Sequence, residues 1–216
     1  MKFPNAYSGV KKLFYAEIVS LIAEAVAVLA AFFLVLAGAG VVILAVPALT
    51  LSLISGFAMI VVFIMQLVGL VQGSRDSNYF RVALYLVLAA IAIGFISSLL
   101  QSFSATKNLP KMVFSVLDTF TTIANFFTIV WVIYGVADLA KKLNNKAQEE
   151  KGNKLAFYIC ILYSASVVLG FLPAFKATGA LATVFAIFGF IAVVVELIIY
   201  INVLIYLHRA TKMLAK

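Results

Sequence analysis

At 216 residues, of which 65% are hydrophobic and 11% charged, the chain is far more apolar than a soluble domain. Its formal net charge of +8 does not point to nucleic acid, because the lysines and arginines sit in short connections between apolar blocks. One cysteine, Cys160, excludes an intrachain disulfide and leaves the redox compartment open.

The apolar residues fall into six blocks of about 20 or more, the spacing expected of membrane-spanning helices. The predicted fold is all-α: a single transmembrane domain over 1–216, with spans near 13–37, 51–71, 80–100, 112–139, 155–175 and 183–207. If the spans alternate, every lysine and arginine except Lys107, Lys111 and Lys176 falls on one side. That bias predicts an even number of spans and two cytoplasmic termini, in a multi-pass protein of a bacterial cytoplasmic membrane.

Residues 1–12 form a short lead with a Pro4-Asn5 turn. The first apolar run is longer than a signal-peptide core and holds Glu17 and Glu24, so it reads as a retained helix. Those two acids are seven residues apart and share a side. Ala23, Ala27 and Ala31 form a small-residue stripe suited to close helix contact. Residues 38–50 carry no charge and form an outer connection that Pro47 breaks and that either dips into the membrane or lies on it. The second span offers Gln66 and a Gly69/Gly73 pair, and a tight turn leads to an apolar third span. An outer loop closes on Asn108-Leu109-Pro110 before the fourth span.

The fourth span is lopsided. Ser115, Asp118, Thr121, Thr122, Asn125 and Thr128 recur three or four residues apart, on one helical face. The stripe stops near Thr128, above Ile129, Val130, Val132 and Ile133, so the helix reads as one wall of a cavity rather than the lining of a through-going pore. Residues 140–154 are a solvated inner loop, and the fifth span ends near Pro173 with Ser164 and Ser166 at its middle. The sixth span carries Glu196 at its centre and Tyr200 one turn on. Segments 78–96 and 154–172 align weakly, in keeping with three hairpins of similar design.

Aligned by depth, Glu24, Asn125 and Glu196 fall near the midplane, Asp118 lies to the outer side, and no lysine or arginine is expected inside a span. An ionised carboxylate there is costly unless a cation, water or hydrogen-bond donors meet it. Asp118, Thr121, Thr122, Asn125, Glu24 and Glu196 are therefore the candidate vestibule, open to the outside, for a small solute, a cation or a proton in transport or solute binding. The alternative is a non-transporting accessory subunit, packed against a membrane partner or a second copy, with its acids hydrogen-bonded between helices. Gln66 and Asn202 read as interhelical hydrogen bonders, and Asp138 as a solvated pair with Lys141 or Lys142. Nucleophile, metal-hydrolase, dinucleotide and P-loop motifs are absent, and Asp118 and Asp138 lie at opposite ends of one helix, about 30 Å apart. No enzyme, metal or cofactor is expected.

The opening Pro4-Asn5-Ala6-Tyr7-Ser8-Gly9-Val10-Lys11-Lys12 before an apolar helix resembles the start of uncharacterised small six-span bacterial membrane proteins, which implies no activity. The six-span layout with Ala23, Ala27 and Ala31 is also similar to the substrate-binding subunits of energy-coupling-factor vitamin transporters. That resemblance implies a first helix that contacts a transport partner, and ligand entry from outside.

Overall fold

The computed structural model describes residues 2–104, 111–171 and 180–215, and every long element among them is an α-helix. In order these are α1 (Pro4–Gly38), α2 (Ala45–Gly73), α3 (Asn78–Ser104), α4 (Lys111–Lys142), α5 (Lys146–Phe171) and α6 (Ala180–Leu214), with a short 3₁₀ turn at Val42–Leu44. Five helical stretches among the described residues are long and apolar enough to cross a membrane: Pro4–Gly38, Val42–Gly73, Asn78–Gln101, Thr119–Lys142 and Val194–Leu214. The Asn108-Leu109-Pro110 turn and Pro173 lie outside the described residues, as do the side chains of Ser115, Asp118 and Ser166.

Each helix packs on the next in sequence, and α6 returns to α1, so the six form a closed ring. The α1–α2 hairpin is its tightest pair, and α4 also touches α6 across the ring. The fully buried residues concentrate where one set of helix ends meets: the start of α1, α3 and α5 and the finish of α2, α4 and α6. This end also carries Lys2, Lys11, Lys12, Lys141 and Lys142 and is called the basic end below. Toward the opposite end fewer of the described residues are buried, and Val28, Phe32, Val35, Phe57 and Phe95 are exposed.

Glycine makes the basic end tight. A Cβ on Gly9 would stand 2.5 Å from the Gly69 carbonyl oxygen and 2.8 Å from the Gly73 nitrogen, so α1 and α2 meet backbone to backbone. Phe80 is fully buried with its ring between two glycines, within 2.8 Å of where a Gly73 Cβ would lie and 2.9 Å of a Gly135 one. Tyr206, also fully buried, lies over Gly152 in the same way.

Above this crossing the α1–α2 seam keeps a seven-residue repeat. Gly9, Ala16, Ala23 and Ala30 are buried small residues of α1 spaced seven apart, and Ala48, Ser55, Val62 and Gly69 recur at the same interval on α2. The antiparallel register sets Gly9 against Gly69 and Ala23 against Ser55, whose hydroxyl donates to the Ala23 carbonyl at 2.9 Å. The packing stripe is thus not Ala23, Ala27 and Ala31: Ala27 and Ala31 are exposed. A repeat of seven keeps two long helices in register along a supercoiled seam, whereas a repeat of four drifts off it.

The connections are shorter than the sequence implies. Pro47 opens no break; it sits in the first turn of α2, where its missing N–H has no helical partner to lose. The inner loop expected over 140–154 shrinks to residues 143–145. Asn144 takes a left-handed φ of 56°, and Asn145 N–H donates to the Ala140 carbonyl at 2.9 Å, which closes α4. Asn145 Oδ1 then accepts from Gln148 N–H at 3.2 Å and starts α5. At the same end Asp76, between α2 and α3, accepts from Ala6 N–H at 2.6 Å and caps α1 from another part of the chain. Asp138 pairs with Lys142 at 2.7 Å, as a solvated pair should, and also accepts from Ser77 at 3.0 Å.

Gly9→Val drives a side chain into the α2 backbone and is expected to lower stability by at least ~1–3 kcal/mol. Ala27→Val, on an exposed position of the same helix, should stay within about 0.5 kcal/mol. Reversible unfolding of both variants in mixed micelles measures the difference.

Candidate functional site: an acid-walled cavity

Inside the ring, α1, α2, α3, α4 and α6 enclose a cavity of ≈ 520 Å³. Its base is apolar and belongs to the packed basic end: Leu13, Leu70, Val132, Ile133, Val203 and Leu207. Polar groups occupy the walls above. Glu17, Ser20 and Glu24 come from α1, Gln66 from α2, Thr121, Asn125 and Thr128 from α4, and Tyr200 from α6. The helical period produces each strip. Residues 17, 20 and 24 lie three and four apart, as do 121, 125 and 128, so each set faces the ring interior along one stripe.

Among the described residues of the lining Glu17 and Glu24 are the charged ones, and no described lysine, arginine or histidine joins them there. Seven residues place them two helical turns apart, about 10 Å along α1. Glu17 is held from two sides. Gln66 Nε2 donates to Oε1 at 3.4 Å, and the Tyr200 hydroxyl lies 3.1 Å from Oε2 and 2.9 Å from the Glu17 carbonyl oxygen. A phenol has one proton, so it serves one of these acceptors at a time. Glu24 has a lighter hold: Ser20 on its own helix donates to Oε1 at 3.2 Å, and the residue is exposed. The two carboxylates therefore differ, one fastened between three helices and one open toward the cavity.

The threonines are less demanding than their polarity implies. Thr121 donates to the Leu117 carbonyl at 3.1 Å and Thr128 to Ala124 at 2.9 Å, each within α4. They line the cavity with oxygen acceptors while satisfying their own protons.

Of the six candidate vestibule residues, Glu24, Thr121 and Asn125 share this cavity. Thr122 is turned away from it and exposed. Glu196 is exposed and outside the lining, because the α6 side of the wall is made by Tyr200, Val203 and Leu207. The Asp118 side chain lies outside the described residues. Glu17, Gln66 and Tyr200 also line the site, although none of them was among the candidate vestibule residues. The seven-residue interval between Glu17 and Glu24 is the signal that ties Glu17 to the same face. Gln66 does bond between helices, as its residue type implies, but Asn202 donates to Ile198 at 2.9 Å on its own helix.

No known family, curated protein or solved structure matches the chain, so its chemistry is read from the cavity itself.

Tyr200→Phe removes the donor that links α6 to Glu17 and is expected to cost ~0.6–1.7 kcal/mol, the range for interhelical hydrogen bonds in bilayers. Asn202→Ala breaks a bond within α6 alone and should cost less than half as much. Unfolding midpoints of the two variants in the same micelles check the order.

Proposed function

We propose that the chain is a six-span membrane protein, its basic end and both termini cytoplasmic, that takes a small cation or cationic solute into the acid-walled cavity from the opposite side. Binding of that solute, or its transport linked to cations or protons, is the activity this reading assigns. One observation carries it: Glu17 and Glu24 are the charges that the described residues place on the wall of a cavity closed by apolar packing at its basic end. A volume of ≈ 520 Å³ is in the range of small-molecule sites. Two carboxylates without a lysine or arginine among the lining residues favour an occupant that brings positive charge. Glu24 is the first contact, and Glu17, steadied by Gln66 and Tyr200, is the deeper one. Asn125 and the threonine oxygens supply neutral ligands opposite.

A second reading also has an observation in its favour. The Gln66–Glu17–Tyr200 contacts join α2, α1 and α6, which is what an accessory subunit with a dry, hydrogen-bonded interior would use.

Cysteine chemistry separates the two. In a Cys160→Ala background reconstituted in liposomes, Asn125→Cys and Thr121→Cys are exposed to membrane-impermeant thiol reagents of equal size and opposite charge. The proposed cavity predicts that the cationic reagent reacts at least about fivefold faster than the anionic one, relative to Val42→Cys on the exposed turn before α2. Glu17→Gln with Glu24→Gln should erase that preference. Silence at 121 and 125 while position 42 reacts establishes the dry bundle instead.

A further inference from the structure

A second concavity lies on the outer surface of the ring, between α5 and α6 at the basic end, with a volume of ≈ 810 Å³. Among the described residues it shares none with the acid-walled cavity. From the geometry and charge of this groove, we propose that it is a binding site for one anionic phospholipid, whose headgroup phosphate meets Lys151 and Lys154 and whose acyl chain runs between α5 and α6.

The site follows from helical register. On α5, Lys151, Lys154, Leu155, Tyr158, Ile161 and Leu162 recur three or four residues apart and line one side. On α6, Val195, Ile198, Ile199 and Asn202 do the same on the other side. The charged residues of the groove, Glu150, Lys151 and Lys154, all belong to the first turns of α5, and beyond them the α5 wall is apolar apart from the Tyr158 hydroxyl. From Lys151 to Leu162 the wall is about 16 Å long at the helical rise, the scale of an extended acyl chain.

The two helices are locked together below the groove by Tyr206 over Gly152 and by Gln148 Nε2 donating to the Tyr206 carbonyl at 3.1 Å. That clamp fixes the spacing of the walls at their charged end.

Charge selects the occupant. Two lysines and one glutamate give the described lining of the groove a net charge of +1, which a phospholipid with a single net negative charge neutralises. Tyr158 is 54% exposed, a ring with an apolar body and a polar tip where headgroup meets hydrocarbon. A basic pocket between spanning helices on the cytoplasmic side is the setting in which anionic headgroups bind. A zwitterionic lipid brings no net charge for the lysines to select, and a free phosphate would leave Ile161, Val195 and Ile198, all large, apolar and exposed, uncovered.

Native mass spectrometry of the full chain in detergent tests the site, with dioleoyl phosphatidylglycerol and dioleoyl phosphatidylcholine titrated separately. One phosphatidylglycerol should bind saturably and at least about tenfold more tightly than phosphatidylcholine. Lys151→Gln and Lys154→Gln should each reduce that preference roughly fivefold. Ile198→Trp, which fills the apolar part, should weaken both lipids while leaving the preference between them. Equal binding of the two lipids overturns the proposal. So does a preference that survives the Lys151/Lys154 double variant and disappears in Lys141→Gln/Lys142→Gln, whose lysines are outside the groove. Inorganic phosphate competing as well as phosphatidylglycerol would show that the acyl groove takes no part, and would overturn it too. Lys154 is exposed and Lys151 half-buried, and far-UV circular dichroism of each variant separates a lost site from a lost fold.

Discussion

Close approach of backbones at the basic end is the constraint from which the rest of the structure follows. Between helices in lipid there is no hydrophobic gain from association, because the acyl chains are as apolar as the side chains they would replace. Van der Waals contact has to hold the bundle, and it is greatest where glycine lets one helix touch the next. Gly9 against Gly69, Phe80 between Gly73 and Gly135, and Tyr206 over Gly152 provide such contacts around the ring at nearly one level. The large rings fill the notches, so the gain in contact leaves no void. Asp76 on the α1 amide and the Asp138–Lys142–Ser77 group then join the helix ends to one another.

The cavity rests directly on this packed end. Leu13, Leu70, Ile133 and Leu207 belong both to the packed core and to the cavity lining, so the floor of the cavity is the upper surface of that core. Glu17 lies one turn above Leu13 on α1. Its depth explains its partners. A carboxylate this close to a dry floor needs donors from neighbouring helices, and Gln66 and Tyr200 provide them. Glu24, two turns higher, is exposed, and one hydroxyl from its own helix accompanies it.

Local periodicity made the helices and the polar side of α4 readable. The block pattern located each helix core, and the interval from Thr121 to Thr128 placed a polar stripe above Ile129, Val132 and Ile133 as the cavity has it. What failed depended on contacts between distant parts of the chain. A repeat of four on α1 looked like a packing face, but the true face is set by α2, whose Ala48, Ser55, Val62 and Gly69 impose a repeat of seven. Residues 140–154 looked like a loop because they are charged, yet helices project beyond the apolar zone and charged residues suit their solvated ends. The Glu17–Tyr200 contact joins residues 183 positions apart, and no local pattern announces it. Depth alone ranked Glu196 with Glu24, whereas the packing of α6 brings Tyr200, Val203 and Leu207 to the interior and leaves Glu196 exposed.

The floor does more than shut the cavity. Lys12 lies only five residues before Glu17, about 7.5 Å along the helix. At that distance, in the low dielectric of a bundle, an ammonium reaching upward would neutralise the acid. Lys12 instead donates to Gln72 Oε1 at 2.8 Å, toward the end of α2 and away from the cavity. Leu13 and Leu70, both nearly fully buried, lie among the residues between the two levels. The same packing that narrows the ring therefore keeps its abundant lysines from its interior acids. Leu13 and Leu70 thus stand between the lysines of the basic end and the acids of the interior.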